Sequence, residues 1–225
     1  MKKMVFATLL FSTGLIAVST VQAEEQSADS PSSVTINAGS GPVTPEEPNN
    51  PDNPGDGGET GQNGPLSIDQ VIPFAFEDVN LSGTAQTANL KATGMRNVQV
   101  TDARGTGKGW QLQVKQSPLT EGTGETQKTL TGAAITLKNG QVTAGKSNIS
   151  TQAPTLNGTS LTLNENFQPM TTAQENAGLG TWLMKYNNEN TTDIQLTVPA
   201  GNLVGSYTGT VTWQLSDSPA ANSGE

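Results

Sequence analysis

The segment Trp110-Gln111-Leu112-Gln113-Val114 alternates apolar and polar residues, and this period of two is typical of a β-strand with one buried face. Its three apolar side chains therefore point to the same side of a sheet. The tripeptide returns near the end of the chain as Trp213-Gln214-Leu215, so a second strand presents the same aromatic–aliphatic pair. The intervening Gln111 and Gln214 are expected to face solvent.

The rest of the second half of the chain shows the same alternation in short segments separated by Gly, Asn and Thr. Such segments predict strands joined by turns. The positions that share a strand face are Val98 and Val100; Ile135 and Leu137, after which Val142 resumes the pattern; Leu161 and Leu163; Ile194, Leu196 and Val198; and, on the last and longest strand, Tyr207, Gly209, Val211, Trp213 and Leu215. Asn139-Gly140 lies between two of these segments and predicts a tight hairpin, because both residues tolerate a positive φ.

One segment departs from this pattern. Residues 169–177 favour a short helix or a turn that ends at Gly178. Because no strand–helix–strand rhythm is present, the segments predict an all-β fold, a single antiparallel β-sandwich or barrel-like domain. The order of its strands is not readable from the pattern.

The N-terminus has the three parts of a secretory signal peptide. Lys2 and Lys3 precede an apolar run over residues 4–18, and Val21-Gln22-Ala23 supplies the small residues of a cleavage site. We therefore expect residues 1–23 to be a signal peptide and the mature protein to be secreted. No later stretch is long and apolar enough to cross a bilayer, so no membrane span is expected in the mature chain.

Residues 24–64 differ in composition from the rest of the chain. They contain eight acids, six prolines and no Lys or Arg, whereas residues 65–225 contain twelve acids and nine bases. The net charge of −9 therefore belongs mostly to this segment, which is predicted to be a disordered acidic linker. Its acid-rich part, residues 52–59, lacks the ligand spacing of a calcium loop. Residues 65–225 are long enough to form one domain with a substantial core.

The composition excludes most kinds of active site. The chain has no Cys and no His, which removes disulfides, thiolate nucleophiles, histidine-dependent triads and the usual zinc sites. Its acidity also argues against a nucleic-acid partner. We therefore predict no catalytic residue, no cofactor and no metal, and a binding or structural protein. A hydrolase with paired carboxylates stays a weak alternative, because no motif surrounds the available acids, Glu77, Asp78, Glu121, Glu125 and Glu165.

Several blocks of the chain together resemble one family, the WxL surface proteins of low-GC Gram-positive bacteria, which carry two Trp-x-Leu motifs. The resemblance covers the two tripeptides and further blocks in the same order. These blocks are Ile68 to Phe76, Val98 to Trp110, Leu130 to Leu137, Gly178 to Trp182, Val198 to Gly201, Tyr207, and Thr212 to Pro219.

The resemblance implies non-covalent attachment to the Gram-positive cell wall, with peptidoglycan as the ligand. It also implies a surface complex with an adhesive role, formed with a membrane-anchored partner protein and other surface proteins of the same family. The chain has no Leu-Pro-x-Thr-Gly sorting signal and no cysteine for a lipid, which agrees with a non-covalent anchor. The alternative is a structural subunit that binds chiefly the membrane-anchored partner, with wall binding secondary.

The candidate site residues have two interpretations each. Trp110, Leu112, Trp213 and Leu215 either contact a ligand or form the core, and the core is favoured for both tryptophans because a Trp buries a large area. Trp182 is a further candidate because it lies in one of the blocks that resemble the family.

The remaining candidates are charged. Asp102 and Arg104 either recognise a polar ligand or fix a loop as an ion pair. Dispersed lysines either meet anionic wall polymers such as teichoic acid or are simply solvated: Lys91, Lys108, Lys115, Lys128, Lys138, Lys146 and Lys185, together with Arg96.

Overall fold

The computed structural model describes residues 27–47, 50–54, 57–91, 96–186 and 191–219. The chain divides into two units, residues 1–36 and 37–225. The described part of the first unit, residues 27–36, is exposed and has no regular structure. The expected signal peptide, residues 1–23, lies outside the described residues.

Sixteen strands and two single-turn 3₁₀ helices make up the described part of the chain, which contains no α-helix. The 3₁₀ helices are Gly124–Thr126 and Thr191–Asp193. The strands are β1 Glu46–Glu47, β2 Asn50–Pro54, β3 Leu66–Gln70, β4 Gln86–Asn89, β5 Asn97–Asp102, β6 Trp110–Gln116, β7 Thr120–Glu121, β8 Lys128–Thr129, β9 Ala134–Lys138, β10 Gln141–Ala144, β11 Thr155–Leu156, β12 Ser160–Thr162, β13 Gln168–Ala173, β14 Gly180–Lys185, β15 Ile194–Val198 and β16 Val211–Ser216.

Three antiparallel sheets of four strands enclose the core. The first sheet has the order β10-β14-β5-β3, the second β11-β13-β6-β16 and the third β12-β9-β15-β4. Two short ribbons, β1-β2 and β7-β8, complete the fold. This arrangement confirms the prediction of an all-β antiparallel domain. No helix in the described residues has the length and apolar character needed to span a membrane.

The core is built from the alternating positions that the sequence indicated. Trp110, Leu112 and Val114 are each 0% exposed on β6, a central strand of the second sheet. They join one cluster with Val98 and Val100 of the first sheet and with apolar residues of the third. Burial of such side chains contributes about 1.5–3 kcal/mol each, so this shared cluster is the main source of stability.

The predicted Asn-Gly hairpin is wrong, although its turn geometry is present. Asn139 has a φ of 55°, but β9 pairs with β12 and β15 in the third sheet, whereas β10 pairs with β14 in the first. The Asn139 side chain donates a hydrogen bond to Asp193 at 2.9 Å, which fixes the turn against the second 3₁₀ helix. Long-range pairing buries Ile135 and Leu137 at 2% exposure, so tertiary packing prevails over the local hairpin preference.

The segment 169–177 is not a helix. Residues 168–173 form β13, which pairs with both β11 and β6 and buries Met170 and Ala173. A turn follows at residues 175–176, where Asn176 has a φ of 65°. The helical interpretation failed because the register shifts between Pro169 and Thr171. Such an irregularity hides a strand's period of two.

Residues 37–64, which fall in the segment predicted to be a linker, belong to the second unit. The backbone N–H of Gly39 donates to the Ala103 carbonyl at 2.9 Å, and that of Val71 donates to the Gly58 carbonyl at 2.9 Å. The Gln99 side chain is held on both sides, since it accepts from the N–H of Glu46 at 2.8 Å and donates to the carbonyl of Thr44 at 3.3 Å.

The contact of Gln99 with Thr44 and Glu46 explains why β5 is buried along its whole length. Its apolar positions face the core, while Gln99 and Thr101 face the other side of the sheet, where the segment around Pro45 lies and is itself buried. Amino-acid composition indicates how much apolar surface a segment can bury. This segment is held by backbone hydrogen bonds instead, so its acid- and proline-rich composition did not indicate the contact.

A buried carboxylate lies in the same layer. Asp69 is 3% exposed and accepts hydrogen bonds from Ser67 at 2.6 Å, Thr101 at 2.6 Å and Gln99 at 3.0 Å. Burial raises the pKa of Asp69 above its ordinary value, and these three hydrogen bonds oppose that rise. The folded protein therefore binds the Asp69 proton more tightly than the unfolded chain does.

This shift predicts a pH dependence of stability with a defined sign. Between the unfolded and the folded pKa of Asp69, the folded state holds more protons, so the free energy of unfolding falls as pH rises. Urea unfolding of the wild type and of Asp69→Asn, from about pH 4 to pH 7, measures the effect. We expect the wild type to lose stability relative to the variant as pH rises. A difference that stays constant, or that changes in the opposite direction, contradicts this assignment.

Candidate binding cleft

A concave cleft of about 930 Å³ opens on one side of the core. Two segments without long strands form its walls: the first wall, residues 71–81, and the second wall, residues 203–210. Its floor includes Ile135 of β9, Leu196 of β15 and Trp213 of β16. The cleft therefore lies where the second and third sheets meet.

Backbone hydrogen bonds hold the first wall to the third sheet. The N–H of Glu77 donates to the Asn89 carbonyl at 3.0 Å, and the N–H of Lys91 donates to the Ala75 carbonyl at 2.8 Å. These bonds lie on either side of an isolated bridge between Phe76 and Leu90. The two phenylalanines of this wall, Phe74 and Phe76, are consequently fixed at the edge of the cleft.

The second wall is held by β7. Thr208 and Thr120 exchange two backbone hydrogen bonds of 2.8 Å, and the N–H of Ser206 donates to the carboxylate of Glu121 at 2.7 Å. The hydroxyl of Tyr207 donates to the Leu203 carbonyl at 2.9 Å. The Tyr207 ring is therefore positioned before any ligand arrives.

Aromatic side chains are concentrated in this cleft. Phe74, Phe76, Tyr207 and Trp213 all line it and are all partly exposed, and they are four of the eight aromatic residues that follow residue 23. The rings of Phe74 and Phe76 stack with centroids 6.3 Å apart. Partly exposed rings in a preformed concave site are the usual means by which proteins bind small apolar or saccharide surfaces.

The charged residues of the cleft are all acidic. Glu77 and Asp78 line it and are exposed, and the lining contains no Lys or Arg. Lys128 lies near the second wall, but its ammonium contacts the Glu121 carboxylate at 2.9 Å. This contact lowers the pKa of Glu121, opposite to the shift that a general acid needs. Among the described residues no group of three or more acids is arranged to hold a metal ion.

The first tryptophan of the duplicated tripeptide is a core residue. Trp110 is 0% exposed, and its indole N–H donates to the Gly178 carbonyl at 3.0 Å. Gly178 has a φ of 70°, and a Cβ there would lie 2.6 Å from the indole nitrogen. Leu112 is equally buried. Neither side chain can meet a ligand without a rearrangement of the core.

The second tripeptide has a different environment. Trp213 and Leu215 are partly buried, and Trp213 both packs on the core and lines the cleft. Gln214 is exposed, as expected, but the expectation for Gln111 is wrong, because Gln111 is 7% exposed and its amide reaches the hydroxyl of Thr172 on the neighbouring strand at 3.5 Å. The two motifs therefore share a sequence but not a location.

The other candidates lie outside the cleft lining. Trp182 is 4% exposed on β14, and its indole donates to the Leu179 carbonyl at 2.9 Å. Asp102 and Arg104 form a two-point ion pair, with Nη2–Oδ2 at 2.7 Å and Nε–Oδ1 at 2.9 Å. Arg104 also donates to the carbonyls of Gly109 at 2.6 Å and Asp217 at 2.8 Å. This geometry matches the loop-fixing interpretation, and it ties the chain after β16 to the segment before β6.

Removing the guanidinium should therefore destabilise the fold. The Asp102 side chain is 0% exposed and that of Arg104 12%, so Arg104→Gln leaves a buried carboxylate without its cation. We expect the free energy of unfolding in urea to fall by about 3 kcal/mol, at the low end for a broken buried pair because Arg104 keeps some solvent contact. Lys108→Gln removes the same charge from an exposed position of the same segment and should change stability by less than about 0.5 kcal/mol. Equal effects of the two substitutions would contradict the assignment.

Sequence reasoning found the floor residue Trp213 but neither wall of the cleft. Phe74 and Phe76 lie in an irregular segment where no period indicates a buried or an exposed face. The prediction that the last strand includes Tyr207 is wrong, because β16 begins only at Val211; Tyr207 lies in the second wall instead. The run from Phe74 to Asp78 does carry a sequence signal for a binding surface, because two aromatic residues are followed directly by two acids.

Comparisons with known proteins agree with the resemblance. The model of the WxL domain, described as surface cell wall-binding, matches residues 23–219. No curated protein and no solved structure gave a significant match. The match spans most of the chain, including the segment first expected to be a linker, and its description names binding and no reaction. The chain therefore belongs to the WxL family of surface cell wall-binding domains.

Proposed function

We propose that the protein is secreted after removal of residues 1–23 and attaches non-covalently to peptidoglycan through the aromatic cleft, defined by Phe74, Phe76, Tyr207 and Trp213. The observation that carries the proposal is the exposure of these four rings around one preformed cavity in a wall-binding domain. Sugar C–H groups pack well against ring faces, and the peptide stems of the wall supply further polar groups.

The lysines are a weaker candidate for the contact. None of them lines the cleft, and one of them, Lys128, is already paired with Glu121. An acidic cleft repels the phosphates of teichoic acid, so we assign the contact to peptidoglycan itself.

Co-sedimentation with purified sacculi tests the proposal. The protein lacking residues 1–23 is mixed with sacculi that retain teichoic acid and with sacculi from which it has been extracted with acid. We expect the protein to pellet with both preparations. Failure to pellet with either preparation, or pelleting that requires teichoic acid, would overturn the proposal.

A protein partner is the second candidate, supported by two features, one in the second wall of the cleft and one at β16. Leu203 and Val204 are 63% and 78% exposed, and within the described part of the chain β16 has one hydrogen-bonded neighbour strand, β6. Exposed apolar side chains and an unpaired strand edge suit strand addition by another protein, such as a membrane-anchored partner in an adhesive surface complex. Protein that stays in the supernatant with bare sacculi but pellets with whole cell envelopes would favour this candidate.

A further inference from the structure

The aromatic cleft combines ring faces with unpaired negative charge. The carboxylates of Glu77 and Asp78 follow Phe74 and Phe76 on the same wall. Within the described residues neither carboxylate takes part in an ion pair. Lys91 is held beside this wall by its backbone bond to Ala75, but it is not part of the lining. The cleft thus presents two acids that no cation of the described chain neutralises.

From this arrangement we infer that the wall ligand of the cleft carries a free, cationic primary amine. The inference rests on the proposed function and adds the chemistry of the ligand. An ammonium is attracted by the faces of aromatic rings and by carboxylates, and both are present here on one wall. A neutral saccharide would use the rings and would donate hydroxyl hydrogen bonds to Glu77 and Asp78, but it would leave their negative charge unbalanced.

Two constituents of a bacterial wall can supply such an amine. One is the side-chain or terminal amino group of a peptide stem, and the other is the amino group of a glucosamine unit that has lost its acetyl group. Both place an ammonium next to C–H-rich surface, which is the combination that the cleft offers. An anionic polymer would instead meet two carboxylates and no lining base.

Chemical acetylation of the sacculi tests the inference, because it converts primary amines into neutral amides and leaves the glycan backbone intact. We expect the affinity of the wild type for acetylated sacculi to fall by roughly three- to tenfold, the range for losing one cation–π contact and its neighbouring charges at a partly exposed site. The variant Glu77→Gln with Asp78→Asn should bind untreated sacculi as weakly as the wild type binds acetylated sacculi, and acetylation should change its affinity little.

A matched control separates this effect from general repulsion between an acidic protein and a more acidic wall. Glu165→Gln with Glu175→Gln removes the same charge from two exposed positions that do not line the cleft, and this variant should respond to acetylation like the wild type. Sacculi treated with an amidase that removes the stems distinguish the sources: lost binding assigns the amine to the stem, and retained acetylation-sensitive binding assigns it to the glycan.

The possible failures are distinguishable. Equal binding of the wild type to untreated and acetylated sacculi overturns the amine inference and leaves the proposed function standing. An equal response to acetylation in both double variants also overturns the inference. The acids of the cleft would then contribute to binding no more than the control acids Glu165 and Glu175 do. Absence of binding to every preparation overturns the proposed function together with the inference.

Discussion

Trp110→Ala is expected to lower the free energy of unfolding by about 4 kcal/mol, within the range measured for large-to-small substitutions at buried aromatic residues. Trp110 is 0% exposed on a strand with hydrogen-bonded neighbours on both sides, so the cavity left behind cannot be filled by solvent or by a mobile loop. The substitution also leaves the Gly178 carbonyl without the indole donor that lies 3.0 Å away, which adds the cost of an unpaired buried acceptor.

Urea unfolding followed by near-ultraviolet circular dichroism measures this loss. The matched comparison is Trp213→Ala, which removes the same side chain at a partly exposed position and should cost only about 1–2 kcal/mol, because less area leaves the core. Similar losses for the two variants would show that the duplicated tripeptides have equivalent roles in the fold and would contradict the distinction drawn between them.

The second large effect is on binding. Phe76→Ala combined with Trp213→Ala should weaken binding to sacculi by roughly 100-fold, about 2.8 kcal/mol at 1.4 kcal/mol for each tenfold change. Aromatic anchors in a preformed pocket commonly carry most of the binding free energy of a site. These two rings belong to different parts of the cleft, the first wall and the floor, so the double substitution removes contact on two of its sides.

The control for this variant is Phe167→Ala. Phe167 is also partly exposed, lies under the ammonium of Lys115 at 4.7 Å and does not line the cleft, so its loss should leave the affinity within about threefold of the wild type. Circular dichroism of each variant confirms that it is folded before its affinity is measured. Binding of sacculi with wild-type affinity by a folded protein that carries both Phe76→Ala and Trp213→Ala would contradict attachment through the cleft.

The sequence was sufficient for the class of the fold and for much of its core, because a period of two is a direct consequence of strand geometry. Trp110, Leu112, Val98 and Val100 are all buried as that period indicates. The sequence did not predict which strands pair with each other. Asn139-Gly140 has the local geometry of a hairpin, yet its flanking strands join separate sheets, because pairing is decided by partners far along the chain.

The duplicated tripeptide shows how far a motif alone can be interpreted. Both copies alternate in the same way, but β6 has two hydrogen-bonded neighbours and β16 has one. The central strand places Trp110 in the core, whereas the edge strand leaves Trp213 beside the cleft. Local spacing is identical in the two cases, so no analysis of spacing could have separated a core residue from a candidate contact.

The cleft itself was beyond sequence reasoning for a related reason. Its two walls, residues 71–81 and 203–210, are far apart in the chain and meet only because the second and third sheets lie next to each other. The sequence indicated Trp213 through its motif. Phe74, Phe76 and Tyr207 became candidates only when the fold brought them around one cavity.

Tryptophan fluorescence during titration with soluble peptidoglycan fragments tests whether the aromatic cleft is the site of attachment. Of the three tryptophans, Trp110 and Trp182 are buried and only Trp213 borders the cleft, so an emission change on binding reports on Trp213. We expect a saturable change in the emission of the wild type that disappears in a folded Trp213→Phe variant. A change of the same size in that variant, or binding of the fragments without any change in the wild-type emission, would contradict attachment through the aromatic cleft.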